Sequence, residues 1–344
     1  MKKKNILWSL ATIVIAVITI WAVSAQSKNF SFDDFCNYVA EADDIWLIVA
    51  GAFMFGYILF ECLALLIICN AFGYRKRLGQ GLVYSAADIY FSAITPSASG
   101  GQPASAYFMI ESGIPAAVST LVLILNLALY TISIMIIGLV AIAVRPQLFW
   151  GFNVFSKFLI IIGYLALSLL MVMFVLLIKK ESLLHSICDR LLIWCSKIRI
   201  IRNVESKRDR LNSMMVEYAK CAKMIDGHRD AVVRAFVCNF VQRFMQICVP
   251  VFLFKAIGGR NAGLIDIWAT QAFTTIGSNC VPIPGAMGVS DYLLLDGLGN
   301  MMGPQAATNL ELMSRGVSFY SCVLISLIIV LIGYINSYIH DKKR

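Results

Sequence analysis

Apolar residues run through this chain in blocks of about 20, long enough to cross a bilayer. Six windows read as full spans, at about 5–25, 45–69, 116–144, 155–178, 231–257 and 316–339. Two further regions, 81–112 and 264–299, are apolar but carry Gly and Pro in the middle. Composition agrees with the pattern. Of 344 residues 59% are hydrophobic, and a soluble domain of that size could not hide so much apolar surface. The pattern predicts an all-α polytopic membrane protein. At the N-terminus, Val23, Ser24 and Ala25 after a basic start would suit a signal peptidase. The apolar run from Ile6 to Val23 is nonetheless about 18 residues, enough to span, so an uncleaved first helix is expected.

The net charge of +9 changes the picture only through its placement. Lys2, Lys3 and Lys4 precede the first span, and Arg75, Lys76 and Arg77 follow the second. The segment 179–230 holds twelve basic residues, among them Lys179, Arg190, Lys207 and Arg229, and Lys342, Lys343 and Arg344 end the chain. The loop between spans one and two is acidic instead, with Asp33, Asp34, Glu41, Asp43 and Asp44 against Lys28. The positive-inside rule then puts both termini and the basic segment in the cytoplasm, in a multi-pass protein of the cytoplasmic membrane. The positive charge meets anionic headgroups, and no nucleic-acid partner is needed.

This orientation constrains the interrupted regions. Span three starts inside, so 81–112 must cross an even number of times. Its piece before Pro96 is about 15 residues, or roughly 22 Å of helix, short of the ~30 Å hydrocarbon core. A re-entrant helical hairpin from the cytoplasm satisfies both facts, and 264–299 becomes a hairpin from the outside. The resulting expectation is six full spans plus two re-entrant hairpins in one membrane domain. Residues 1–144 and 155–339 form two inverted repeats, the second interrupted by 179–230. Broken helices at matching places in inverted repeats point to a transport site near mid-membrane.

The first tip reads "AITPSASGGQP", residues 93–103. Pro96 stops the incoming half-helix, Gly100 and Gly101 permit a reversal, and Pro103 suits the first turn of the outgoing one. Thr95, Ser97, Ser99 and Gln102 add hydrogen-bonding groups, and the new helix N-terminus favours an anion. The second tip, "CVPIPGAMGVSDYLLLDGLG", has Pro282 and Pro284 as stops, Gly285 and Gly288 as turns, and Ser290 and Asp291 in the next first turn. Tyr107 and Glu111 are spaced like Tyr292 and Asp296, a weak echo between the tips.

The stretches "TPSASGGQP" and "PIPGAMGVSD" resemble the paired motifs of the flippase-like, lysylphosphatidylglycerol synthase transmembrane-region family. Asp291 stands where Glu is usual in that family and Ala286 where Gly is usual. The resemblance covers essentially the whole chain and implies transport of a phospholipid or lipid-linked anionic substrate by alternating access. Some relatives add a cytosolic aminoacyltransferase domain. The sequence ends at Arg344 just after the last predicted span, so the membrane part without that domain, and no synthase chemistry, is expected.

Ionisable residues inside spans are costly and mark function by default. Here they are Glu61, Asp88, Arg243, Asp291 and, at the start of span six, Arg315. Arg243 or Arg315 would hold a lipid phosphate, with Glu61, Asp88 and Asp291 as charge partners or proton carriers. The alternative is that all five form ion pairs that lock the bundle. The candidate substrate-binding set is therefore Thr95, Pro96, Ser97, Ser99, Gly100, Gly101, Gln102, Arg243, Pro284, Gly285, Gly288 and Asp291, with Glu61, Asp88 and Arg315 as partners. Glu111, Asp296 and Glu311 read as interfacial.

Other features suggest less. Ten cysteines without a C-x-x-C pair indicate packing residues, with no metal site and no cofactor. Residues 181–226 repeat apolar positions at helical spacing, as an amphipathic helix on the inner leaflet or against the bundle would. A membrane transferase, related to phosphatidylglycerol aminoacyltransferases or polyprenyl-phosphate-dependent glycosyltransferases, is the competing reading. It would use the pairs Asp33 and Asp34 or Asp43 and Asp44. His185 and Asp189 fall one residue short of the H-x4-D acyltransferase spacing. The absence of a Walker motif argues against direct ATP drive. Membrane lipids are the expected partners, and a homo-oligomer, a partner lipid-modifying enzyme or a scaffold role fits the same chain.

Overall fold

Among the described residues the first long helix is α1 (Asp44–Ala71), which Asp43 begins by accepting the Ile45 N–H on its carboxylate at 2.9 Å. At the other end Gly73, with φ of +86°, lets its own N–H and that of Tyr74 return to Asn70 and Cys69. The chain then forms α2 (Leu78–Ile94) and α3 (Gly101–Glu111), followed by α4 (Ala116–Val144) and the short α5 (Pro146–Gly151). Asn153 caps α6 (Val154–Lys179) through the Ser156 N–H. Beyond it come α7 (Arg229–Ala256), α8 (Leu264–Ser278), α9 (Val289–Gly299), α10 (Pro304–Arg315) and α11 (Cys322–Asp341). The computed structural model describes residues 37, 40–95, 98–180, 185–187, 189–190, 212–216, 218, 220, 225–260, 262–279, 281–299 and 301–341. Among the described residues all regular structure is helical.

Five helical stretches among the described residues are long and apolar enough to cross a membrane: Asp44–Ala71, Ala116–Val144, Val154–Lys179, Arg229–Ala256 and Ala306–Ile335. The expected span at 5–25 lies outside the described residues. The fifth stretch corrects a boundary, since it begins about ten residues before the expected 316. The polar run "PQAATNLELMSR" lowers hydropathy without breaking the helix. Gly316 stays helical, and a π turn over Gly316–Ser321 joins α10 to α11. Arg315 therefore lies inside the span rather than at its start.

The apolar surface divides as a membrane protein requires. α6 turns Phe158, Ile161, Leu165, Leu169 and Val172 outward, a contiguous face suited to lipid. Inside, one cluster joins Leu65, Tyr84, Leu121 and Leu125 at one end of the bundle. A second joins Ile58, Val249, Leu253 and Leu310. The chain is a multi-pass membrane protein.

The interrupted regions form two helix pairs, α2 with α3 and α8 with α9, each packed side by side. α1 packs along α7, with the Asp43 N–H on the Ala256 carbonyl at 2.8 Å. α2 lies on α11, while α8 lies on α4 and α6. Each broken pair thus rests on the last span of the opposite half of the chain. Within the second half, Gly163 of α6 lets α8 cross closely: a Cβ there would sit 2.2 Å from the Ile276 carbonyl oxygen of α8.

Of the basic segment, Tyr218 is buried and its hydroxyl donates to the Leu177 carbonyl at 3.1 Å. Met215 and Ile225 pack on the same core cluster. These positions dock on the end of the bundle; most of 181–226 lies outside the described residues.

Candidate functional site: a cavity between two broken helices

Both helix breaks face one cavity of about 520 Å³. Ala98, Ser99 and Gln102 line it from the first break, and Val281, Ile283, Gly285, Ala286 and Ser290 from the second. Glu61 of α1, Asp88 of α2, Arg243 of α7 and Arg315 of α10 all reach it. Around them stand Asn126, Tyr130, Asn239, Gln242, Gln246, Gln271, Thr274 and Ser278. A wall this polar, enclosed by membrane-spanning helices, is sustained only if it meets water or a polar ligand.

The first break is stapled by its own side chains. Thr95 accepts the Gly100 N–H at 2.8 Å and donates to the Phe91 carbonyl at 2.6 Å. Asp88 accepts from the Gln102 amide at 2.8 Å and from the Ser92 hydroxyl at 3.2 Å, tying α2 to the start of α3. The left-handed residue of the turn is Ala98, at φ of +53°, rather than either glycine. Gly101 is needed for closeness instead. A Cβ on it would lie 2.1 Å from Asp88 Oδ1 and 2.5 Å from the Asp88 backbone oxygen. Because backbone cannot give way cheaply, Gly101→Ala should destabilise this break by about 1–3 kcal/mol. Thermal unfolding of the purified chain measures it, and an unchanged midpoint contradicts the close approach.

The second break relies on backbone conformation and charge. Gly285, Ala286 and Gly288 all have positive φ, at +60°, +50° and +80°. Asp291, in the first turn of α9, reaches back to accept the Gly288 N–H at 2.8 Å. Its other oxygen is in close contact with Arg315, which also faces Glu311 at 3.7 Å and donates to the Gly285 carbonyl at 3.3 Å. The π turn presses the Phe319 ring onto Gly285, where a Cβ would come within 2.4 Å. Tyr130 donates to Asn279 at 2.8 Å and holds the break to α4.

Arg243 is held differently. Its side chain is buried, with its guanidinium 3.7 Å from the Tyr130 ring centre and 5.1 Å from that of Tyr57. One terminal nitrogen donates to Gln246 at 2.6 Å, while Nε is buried without a partner. Among the described residues no carboxylate forms an ion pair with it. A buried cation with an unspent donor is costly unless an anion completes it. Beside it, Gln242 donates to Glu61 at 3.0 Å, and the Glu61 and Asp88 carboxyls lie in hydrogen-bonding contact.

The expected site residues thus divide. Ser99, Gln102, Arg243 and Gly285 line the cavity together with Glu61, Asp88 and Arg315. Thr95, Gly100, Gly101, Pro284, Gly288 and Asp291 form or brace the two breaks. Pro96 and Ser97 lie outside the described residues. Glu311, expected at an interface, is buried beside Arg315. Asp296 and Tyr292 instead meet Asn153, at 3.0 and 2.5 Å. Tyr57, Tyr130, Gln242 and Gln246 were not foreseen. Their signal was present as uncharged polar residues within apolar spans, a search that ionisable residues alone do not cover.

The features behind the transferase reading lie only partly within the described residues. Asp43 is occupied as a helix cap, and Asp33 and Asp34 lie outside the described residues. His185 meets Asn212 at 2.7 Å.

No curated protein matches the chain. A family model, that of the lysylphosphatidylglycerol synthase TM region, matches residues 7–326 and so includes both breaks and every cavity-lining charge. The chain belongs to the lysylphosphatidylglycerol synthase transmembrane-region family.

Proposed function

We propose that this protein moves a phospholipid or lipid-linked anionic substrate across the cytoplasmic membrane by alternating access. The observation that carries this reading is Arg243, a buried cation with a partnerless Nε in a polar cavity shared by two helix breaks. The N-termini of α3 and α9 both start at those breaks and add positive dipole ends. Membership of the family supports a lipid-related function in the membrane.

In this reading the two helix pairs are re-entrant hairpins, one from each side, and the halves of the chain are inverted repeats. Supporting it, each pair packs on the last span of the other half, and the second spans, α1 and α7, pack on each other. Rocking one half against the other would then open the cavity first to one leaflet and then to the other. Both termini and the basic segment face the cytoplasm.

Single cysteines at Ser99 and Ser290 test the arrangement, in a background lacking the native reagent-accessible cysteines. Membrane-impermeant thiol reagents should reach both from a common aqueous path, and short-chain phosphatidylglycerol should slow labelling of both. Labelling of position 99 from the outside alone, unaffected by lipid, would indicate two ordinary crossings and overturn the hairpin.

A further inference from the structure

We infer that Glu61 and Asp88 form a proton-binding site, and that one proton enters it whenever an anionic headgroup binds Arg243. The inference rests on the anion-binding reading of Arg243. Its own support is geometric. Both carboxyls line the cavity, their residues are only 5% and 7% exposed, and they contact each other. Each also has its own amide donor, Gln242 to Glu61 Oε2 and Gln102 to Asp88 Oδ2. Two carboxyl oxygens in hydrogen-bonding contact require a proton between them.

Charge balance gives the coupling. The charged and titratable groups facing the pair are Arg243 from α7, Tyr57 and Cys62 from α1, and Cys322 from α11. Tyr130 of α4 meets it through Arg243. With one proton shared, the dyad carries a single negative charge and balances Arg243. A phosphate diester on Arg243 brings a second negative charge into the same buried space. The dyad then takes up its second proton, and the loaded cavity is again neutral: cation, anion and two neutral carboxyls. Lipid and proton occupy the site together and leave together, which makes the proton the coupling ion. Gln102 links the event to the first break, because its partner Asp88 is one of the two carboxyls.

Linkage fixes the sign. The loaded state holds one more proton than the empty one, so affinity for the anion rises as pH falls. The change is about tenfold per pH unit where uptake approaches one proton.

Dihexanoyl phosphatidylglycerol is the probe, titrated calorimetrically into the full detergent-solubilised chain in buffers of different ionisation enthalpy. Uptake approaching one proton per bound lipid is expected for the wild type, and near-zero uptake per bound lipid for the double variant Glu61→Gln with Asp88→Asn, since one remaining carboxylate would still take up the proton. Binding without uptake in the wild type, or undiminished uptake in the double variant, overturns the proton site while leaving the anion site intact. Absence of lipid binding by the wild type overturns the anion site, and the proton site with it.

Discussion

Arg243→Ala should abolish translocation of anionic lipid while leaving the protein folded. A bound phosphodiester would engage the partnerless Nε and a further guanidinium N–H of this residue. Hydrogen bonds to a charged group contribute about 1.5–3 kcal/mol each. Two of them, at 1.4 kcal/mol per decade, correspond to roughly a 100-fold loss or more. Stability should change little, because Arg243 makes no direct ion pair among the described residues and the Glu61 and Asp88 carboxyls can take up a second proton once the cation is gone. Arg243→Lys should fail as well. A lysine keeps the charge but lacks the planar fork and the flat face that sits 3.7 Å from the Tyr130 ring centre. Translocation rates in proteoliposomes, read beside the unfolding temperature in detergent, check both variants. Full activity in Arg243→Lys would mean that charge alone suffices and the stacked geometry is incidental.

Arg315→Ala should do the opposite and damage the fold first. Arg315 binds Asp291, faces Glu311 and donates to the Gly285 carbonyl, so it joins α10 to the second break. Its removal leaves two carboxyl groups without their cation in a mostly buried place. Breaking a buried pair in this way costs about 3–5 kcal/mol. Partial exposure of the Asp291 side chain, 30%, argues for the lower end. A clear drop in unfolding temperature and in folded yield is expected. If Asp291→Asn is combined with Arg315→Ala, part of the lost stability should return, since one of the two orphaned carboxylates has gone. A variant as stable as the wild type but inactive would move Arg315 from bracing to substrate contact.

The contrast between the two arginines was not legible in the sequence. Hydropathy and charge placement were enough to find four spans to within a few residues. They also located both interrupted regions, because apolar length and basic flanks act locally along the chain. Which cation is paired depends on contacts across the fold: Arg315 meets a carboxylate 24 positions away, and Arg243 meets aromatic faces. The same limit explains the first tip. Two adjacent glycines suggested conformational freedom, yet the left-handed residue is Ala98, and Gly101 serves to let Asp88 come close. The start of the last span was missed for a local reason. Its first turns are polar because they carry Arg315 and Glu311 toward the interior, and a hydropathy window reads such a stretch as a loop.

Reconstituted proteoliposomes carrying fluorescent analogues of phosphatidylglycerol, phosphatidylcholine and diacylglycerol offer the most direct measurement. Wild type, Arg243→Ala and protein-free vesicles are compared for the rate at which each lipid changes leaflet. Expected is movement of phosphatidylglycerol by the wild type well above the protein-free rate, little movement of diacylglycerol, and Arg243→Ala indistinguishable from empty vesicles. Equal movement of all three lipids, or wild-type rates for phosphatidylglycerol in Arg243→Ala, would contradict an anionic lipid passing through this cavity on Arg243.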